Sequence, residues 1–180
     1  MIDSFRKTRM PYILEKPMFL PTTKKEMEKL GWDHLDVILV SGDSYIDSPF
    51  VGVAVIGKVL LAAGFKVGVI GQPDTSNDDI MRLGTPRLFW GVTAGCIDSM
   101  VANRTASGKK RGRDDYTPGG VNDRRPDRAT IAYTNLIKRF SKDNPKPVVL
   151  GGIEASLRRI SHYDFWTDSI RRSVLFDAKA

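Results

Sequence analysis

LDVILVSGDSYIDSPFVGVAVIGKVLLAAGFKVGVIGQ, residues 35–72, decides the fold. Residues 36–40 are β-branched and nearly unbroken in apolar character, the pattern of a strand covered on both faces and hence of a parallel sheet. Residues 50–63 are apolar and long enough for about four turns of helix. Pro49 stands at their mouth and Gly64 just past their end, the proline-first, glycine-last order of a helix. Residues 66–70 then repeat the strand signal. Together they predict a right-handed strand, helix, parallel-strand crossover, with the polar loop 42–48 at the first strand's carboxyl end. Open α/β sheets bind ligands at that edge.

The same punctuation runs outward from this unit. Upstream, residues 24–30 predict a short helix opened by Thr22 or Thr23 and stopped at Gly31. Downstream, residues 71–79 are turn chemistry before a brief helix ending at Leu83, and RLFWGVTA (87–94) reads as a third strand with a helix over 97–102. Asp127 is placed to cap an amphipathic helix in which Tyr133, Leu136, Ile137 and Phe140 recur at i, i+3, i+4 and i+7, stopped by Pro145. Residues 148–150 are the fourth strand and run into Gly151 and Gly152, where positive φ or close backbone approach is allowed. The order β-α-β-α-β-α-β predicts a Rossmann-like, doubly wound, mainly parallel sheet of the flavodoxin type in three α/β/α layers. From Ile153 on, arginine pairs mixed with aromatics read as loop and helix. The chain then stops where a fifth strand is due, so residues 1–180 read as a single domain cut from a longer protein.

At 180 residues and 41% apolar, the chain can bury one proper core. No run approaches the ~18 apolar residues of a membrane span. The opening residues 1–17 alternate charge with apolar groups and lack the centre of a secretory signal, so a cytoplasmic protein is expected. Cys96 is the single cysteine, which excludes an internal disulfide and an all-cysteine metal cage within this chain. His34 and His162 have no partner at ligand spacing, so no metal site is expected. Residues 104–128 carry eight Lys or Arg against four Asp, with glycines, prolines and almost no apolar side chains. That composition predicts a mobile basic loop outside the core. A net charge of +7 and this loop allow an alternative function, binding of nucleic acid or a phosphate ligand. With Tyr116 its lone aromatic, the loop lacks the rings that stack on bases, which argues against nucleic acid.

The four strand ends predict one ligand-binding edge lined by Asp43, Tyr45, Asp47, Thr93, Gly95, Glu154 and Ser156, with Gly151 and Gly152 at its far side. The same residue types are ordinary turn and cap residues. The arginine pairs Arg124 and Arg125, Arg158 and Arg159, and Arg171 and Arg172 are able to clamp phosphate or carboxylate, or to pair with neighbouring aspartates at the surface, which is the ordinary case. Neither a G-x-x-x-x-G-K-[ST] loop nor a G-x-G-x-x-G turn is present, which disfavours ordinary nucleotide binding. Cys96, after Gly95, is placed where a helix N-terminus would favour a thiolate, although most lone cysteines are small buried hydrophobes.

FLPTTKKEMEKLGWDHLDVILVSGDSYIDSPFVG, RLFWGVTAG with IDSM, YTPGG, RPDRAT, and above all VVLGGIEASLRRISHYDFW with DSIRRSVLFDAKA resemble the amino-terminal domain of the YgiQ-type radical S-adenosylmethionine proteins, from about Pro17 to Ala180. The resemblance implies a cobalamin-binding-like module preceding a radical barrel in the same polypeptide. In that barrel a C-x-x-x-C-x-x-C motif holds a four-iron, four-sulfur cluster that binds S-adenosylmethionine. Were Cys96 the first of those cysteines, Met100 and Asn103 would have to be the others, so the cluster is expected beyond Ala180 and no residue here is expected to be catalytic. The cobalamin lower-ligand pattern D-x-H-x-x-G aligns with Asp47 to Gly52, but Pro49 stands where the imidazole would be. Proline offers no donor atom, which leaves cobalamin to other contacts. The function expected is therefore an accessory domain of a radical S-adenosylmethionine iron–sulfur enzyme.

Overall fold

Residues 19–180 are described by a computed structural model; the opening segment 1–17, read above for a secretory signal, lies outside them. Four strands, β1 (Val37–Ser41), β2 (Val67–Gly71), β3 (Phe89–Thr93) and β4 (Val148–Gly151), form one sheet in the order β2-β1-β3-β4. Every pairing in it is parallel. The order is that of the flavodoxin type, so the α/β Rossmann-like expectation holds.

Alternation along each strand builds two cores. Ile38, Val40, Ile70, Trp90 and Val92 face one way and meet Tyr133 and Ile137 of helix α4 (Ala129–Phe140), with Ile80 and Leu83 from the β2–β3 connection. Val37, Leu39, Val67 and Val69 face the other way and meet Val53 and Leu61 of helix α2 (Gly52–Ala62). The β1–β2 crossover runs in the opposite direction from the next two and lies on the opposite face. All three therefore share one hand, as such connections require. Each fully buried Val, Ile or Leu here contributes about 1.5–3 kcal/mol of transfer free energy.

Helix α1 (Lys24–Lys29) begins at a capping box: Thr23 accepts from the Glu26 amide while the Glu26 carboxylate reaches back to the Thr23 amide. Several boundaries differ from the sequence reading. Helix α2 starts at Gly52 because residues 46–51 fold into a turn closed by Val51 N–H to Ser48 C=O, which leaves Pro49 outside. Helix α3 (Ser99–Asn103) starts two residues late because Asp98 caps it, accepting from the Met100 and Val101 amides. Helix α4 is preceded not by an Asp127 cap but by Arg128 at φ 51; the Asp127 carboxylate turns sideways to Asn103 and Arg104. After helix α5 (Gly152–Leu157) the tail is not helical throughout. It forms an antiparallel hairpin, β5 (His162–Asp164) with β6 (Ser169–Arg171), before helix α6 (Val174–Ala178).

The segment 104–128 also departs from a loop that adds nothing to the interior. Asp114, Thr117, Asn122 and Arg125 are buried, and isolated bridges pair Arg104 with Lys110 and Arg113 with Val121. Polar atoms, rather than apolar ones, tie it down. Among the described residues no helix is long and apolar enough to cross a membrane.

The tail is pinned by charge. Asp164 pairs with Arg128 and, at 3.5 Å, with Arg171; Asp177 takes Arg171 at 2.7 Å and Arg172 at 2.9 Å. Burial pushes both carboxyls up, but these guanidinium bonds outweigh it and hold both below the ordinary range. A carboxylate whose folded pKa is depressed stabilises the folded state at pH above its unfolded value, ~3.9, and that contribution is lost as pH falls further. The tail should therefore undock on acidification before the sheet does. Amide exchange across residues 162–178 as a function of pH checks this; protection unchanged between about pH 5 and 2.5 contradicts it.

Candidate functional site

The last residues of the four strands stand in one row, Gly71 beside Ser41 beside Thr93 beside Gly151. This common rim is what a parallel sheet delivers, and it brings part of the expected lining together. Thr93, Gly95, Gly151, Gly152 and Gly52 border a hollow of ≈ 480 Å³ between α2 and the sheet, with Asp43 at its inner end. Small-molecule sites are commonly about 300–1,000 Å³.

The hollow follows from side-chain size. On the α2 side of the sheet the last two rows read Leu39–Gly91–Val149 and Ser41–Thr93–Gly151, so the floor falls away toward the rim. Helix α2 supplies one wall through Gly52, Ile56 and Leu60, spaced i, i+4, i+8, and Ile153 of α5 supplies another. Among the described residues no helix covers β3 and β4 on this face, and Val149 is 52% exposed.

Beneath the rim lies a buried charge cluster. The Arg125 guanidinium donates from Nε to the Gly42 carbonyl at 3.0 Å, and Nη2 pairs with Asp43 at 2.5 Å and Asp114 at 3.1 Å. All three side chains are at most 3% exposed. Burial pushes the Asp43 carboxyl up, against the Cys96 amide bond at 2.6 Å and the Arg125 charge, which both favour ionisation. Gly95, at φ +111, passes so close that a Cβ would overlap the Asp43 carboxylate, so only glycine fits. The Cys96 thiol is pushed up to about 11 by burial and the adjacent Asp43 carboxylate, and is therefore neutral near pH 7. A thiolate nucleophile is not what this position makes.

The other expected residues are dispersed. Tyr45 accepts the Leu20 amide at 3.1 Å and, with Asp47, borders a separate depression beside the end of β2. Asp47 also pairs with Lys58 at 2.6 Å. Glu154 points inward: one oxygen accepts from the Ser99 amide and hydroxyl, the other from the Thr130 amide and hydroxyl. Ser156 and Arg159 are exposed. Arg158 pairs with Asp98, whose charge outweighs burial and raises the arginine pKa.

Sequence reasoning named Arg125 only as one of a pair expected at the surface, and it missed Asp114 and the apolar walls. The walls had a signal: α2 is apolar nearly all round, and a helix of that kind has more than one face to cover. Its outward Val55, Ile56 and Val59 are 43–63% exposed. Nothing in the sequence told Arg125 from its neighbour Arg124, which carries the same charge and stays exposed.

Comparison with known proteins finds a family and relatives for this chain. The family model described as radical SAM N-terminal matches residues 19–180. A UPF0313 protein of Thermotoga maritima is 66% identical over 164 residues, 91% of this chain and 29% of its own length. One of Fusobacterium nucleatum is 58% identical over 163 residues, 90% of this chain and 29% of its own. The UPF0313 protein YgiQ of Escherichia coli K12 is 57% identical over 163 residues, 90% of this chain and 22% of its own. The chain thus spans less than a third of each of these relatives. No solved structure matches. With its four-stranded parallel sheet, and matched by that family model over nearly its whole length, this chain belongs to the radical SAM N-terminal family.

Proposed function

We propose that this chain is the accessory α/β domain of a radical S-adenosylmethionine iron–sulfur enzyme, docked by its bare sheet face and rim onto the catalytic barrel of the same polypeptide. The observation that carries this reading is the uncovered apolar surface. Phe50, Val149 and Ile153, which border the hollow, and Val59, Leu157 and Ile160, close to them along the chain, are each 45–89% exposed. Exposed large apolar side chains in this number support an interface. The relatives' greater length supplies the segment that would cover it.

The described residues do not hold the cluster: they contain no group of three His, Cys, Asp or Glu able to bind a metal, and Cys96 is neutral and solitary. Nor does the turn from Asp47 to Gly52 fit a histidine-ligated corrinoid, since Pro49 has no donor and Asp47 is engaged by Lys58. The role left to this chain is to shield the barrel mouth and wall the substrate cavity.

The test uses the full-length protein, expressed anaerobically and reconstituted with iron and sulfide. Iron–sulfur absorption is expected, and its absence overturns the enzyme assignment; adding hydroxocobalamin during reconstitution reports on corrinoid. Docking is tested by Val59→Glu and Leu157→Glu. On a free surface each changes stability by about 0.5 kcal/mol or less. In a docked interface the buried charge costs several times that, on the order of 2 kcal/mol or more. Thermal unfolding unchanged by either variant overturns the docking.

A further inference from the structure

We propose that residues 103–113 form a basic tongue that docks onto double-helical nucleic acid through its phosphates. This interaction goes beyond the accessory-domain reading and does not depend on it.

Backbone bonds make the segment a braced projection. Arg104 bridges to Lys110, the Thr105 amide donates to the Lys109 carbonyl at 2.8 Å, and Gly108 closes the turn at φ +79, its amide donating to the Thr105 carbonyl at 2.9 Å. Below the tip, Arg113 bridges to Val121 and the Asn122 amide donates to the Gly112 carbonyl at 3.3 Å. The root is buried. Asn103 accepts the Arg111 amide at 2.7 Å on its carbonyl, and its side-chain amide donates to the Arg125 carbonyl at 3.0 Å and to Asp127 at 2.9 Å. The tongue thus grows from the same charge cluster that underlies the rim.

Charge on this projection is left uncompensated. Residues 104–113 hold Arg104, Lys109, Lys110, Arg111 and Arg113 and no acid. Arg104 is taken by Asp127 at 2.7 Å, and Asp114 is turned inward to Arg125. Arg113 meets Asp115 only at 3.5 Å, with both side chains more than 80% exposed. Arg111 spends Nε on the Val101 and Arg104 carbonyls, and among the described residues no carboxylate pairs with Lys109 or Lys110. Four exposed cations held together repel one another, and a polyanion relieves that repulsion. Two features select a duplex. From Lys109 to Arg113 the chain spans at most about 14 Å, and a duplex sets a phosphate charge every ~1.7 Å along its axis, twice the density of one strand. The tongue has no aromatic residue, and nearby Tyr116 lies 5.8 Å from the buried Arg125 guanidinium. Unpaired bases would find no ring to stack on, whereas a duplex stacks its own bases and turns its phosphates outward.

The test titrates the full-length protein into fluorescein-labelled duplexes of DNA and RNA, about 24 base pairs long, and reads fluorescence anisotropy. Both duplexes should bind, about 100-fold more weakly at 200 mM salt than at 50 mM, as about four phosphate contacts require. The double variant Lys109→Gln with Lys110→Gln should lose about tenfold or more at 50 mM salt, with a salt slope shallower by about two. Both side chains are exposed, so its circular dichroism should match the wild type. A control, Lys25→Gln with Lys142→Gln, removes the same charge from exposed positions in α1 and after α4 and should bind as the wild type does. Binding of neither duplex, or equal losses in the two double variants, would overturn the proposal. So would tighter binding of a single strand of the same length, or equal competition by poly-glutamate, which would point to an acidic protein instead. Cluster absorption is not read in this titration, so its outcome is separate from that of the iron–sulfur assignment.

Discussion

Replacing Arg125 with methionine should be the most damaging single change in the domain. The side chain is wholly buried with Asp43 and Asp114, which lie on either side of its Nη2. Methionine keeps much of the volume but strands two carboxylates away from water. Removing one partner of a buried ion pair costs about 3–5 kcal/mol, because the remaining charge is uncompensated. For a chain of this size each kcal/mol is worth about 2–4 °C, so the midpoint should fall by roughly 6–20 °C. The pH dependence carries the signature. Burial already pushes Asp43 up in the native protein, and loss of the guanidinium pushes it further. A carboxyl whose folded pKa exceeds its unfolded value, ~3.9, takes up protons on folding, so stability is lost as pH rises from there through the folded value. The variant should be weakest near neutrality and recover on acidification, within the range where the tail is still docked. Thermal melts across pH check this, and a loss below about 1 kcal/mol without pH dependence would show that the cluster is not what holds residues 104–128 to the rim.

The second large effect is expected at Glu154, from a change that alters almost no volume. Its carboxylate joins the amino ends of α3 and α4, with Ser99 Oγ at 2.5 Å, Ser99 N at 2.8 Å, Thr130 Oγ1 at 2.5 Å and Thr130 N at 3.1 Å. Negative charge at two helix amino ends is favoured by both macrodipoles. In Glu154→Gln one oxygen becomes an NH2, and each carboxylate oxygen faces a backbone N–H that can only donate. Whichever way the amide is turned, it opposes a donor with a donor. The cost should be on the order of 3 kcal/mol, since a buried amide is left unsatisfied and a charge-assisted bond is lost. Denaturant unfolding of Glu154→Gln measures it; a change below about 0.5 kcal/mol would mean the clamp is not made in solution.

These two residues show where sequence legibility ended. The rim was legible because each strand carries its own signal and a parallel sheet must align the strand ends. Thr93, Gly95 and Gly151 stand together at that rim. Glu154 was assigned to the same edge because it follows β4 closely. However, α5 begins at Gly152, immediately after the strand, and that turn carries Ile153 outward and Glu154 in. Gly152 makes the turn at φ +80, with Thr93 packed where a Cβ would be. A one-residue difference in where a helix starts reverses what its third residue faces, and propensities do not resolve boundaries that finely.

The residues by themselves determined the alternation of strands and helices, the parallel sense of the sheet, its strand order and the existence of a common rim. All of these follow from periodicity and short connections, which are local properties of the chain. Only the tertiary structure decided that Arg125 is buried while Arg124 is not, that Glu154 is a clamp, and that the described residues leave a hollow beside α2. Arg125 meets Asp43 across 82 residues of sequence. An arginine's type is the same whether water or a carboxylate surrounds it, so such a pairing is set by where the chain brings distant segments together.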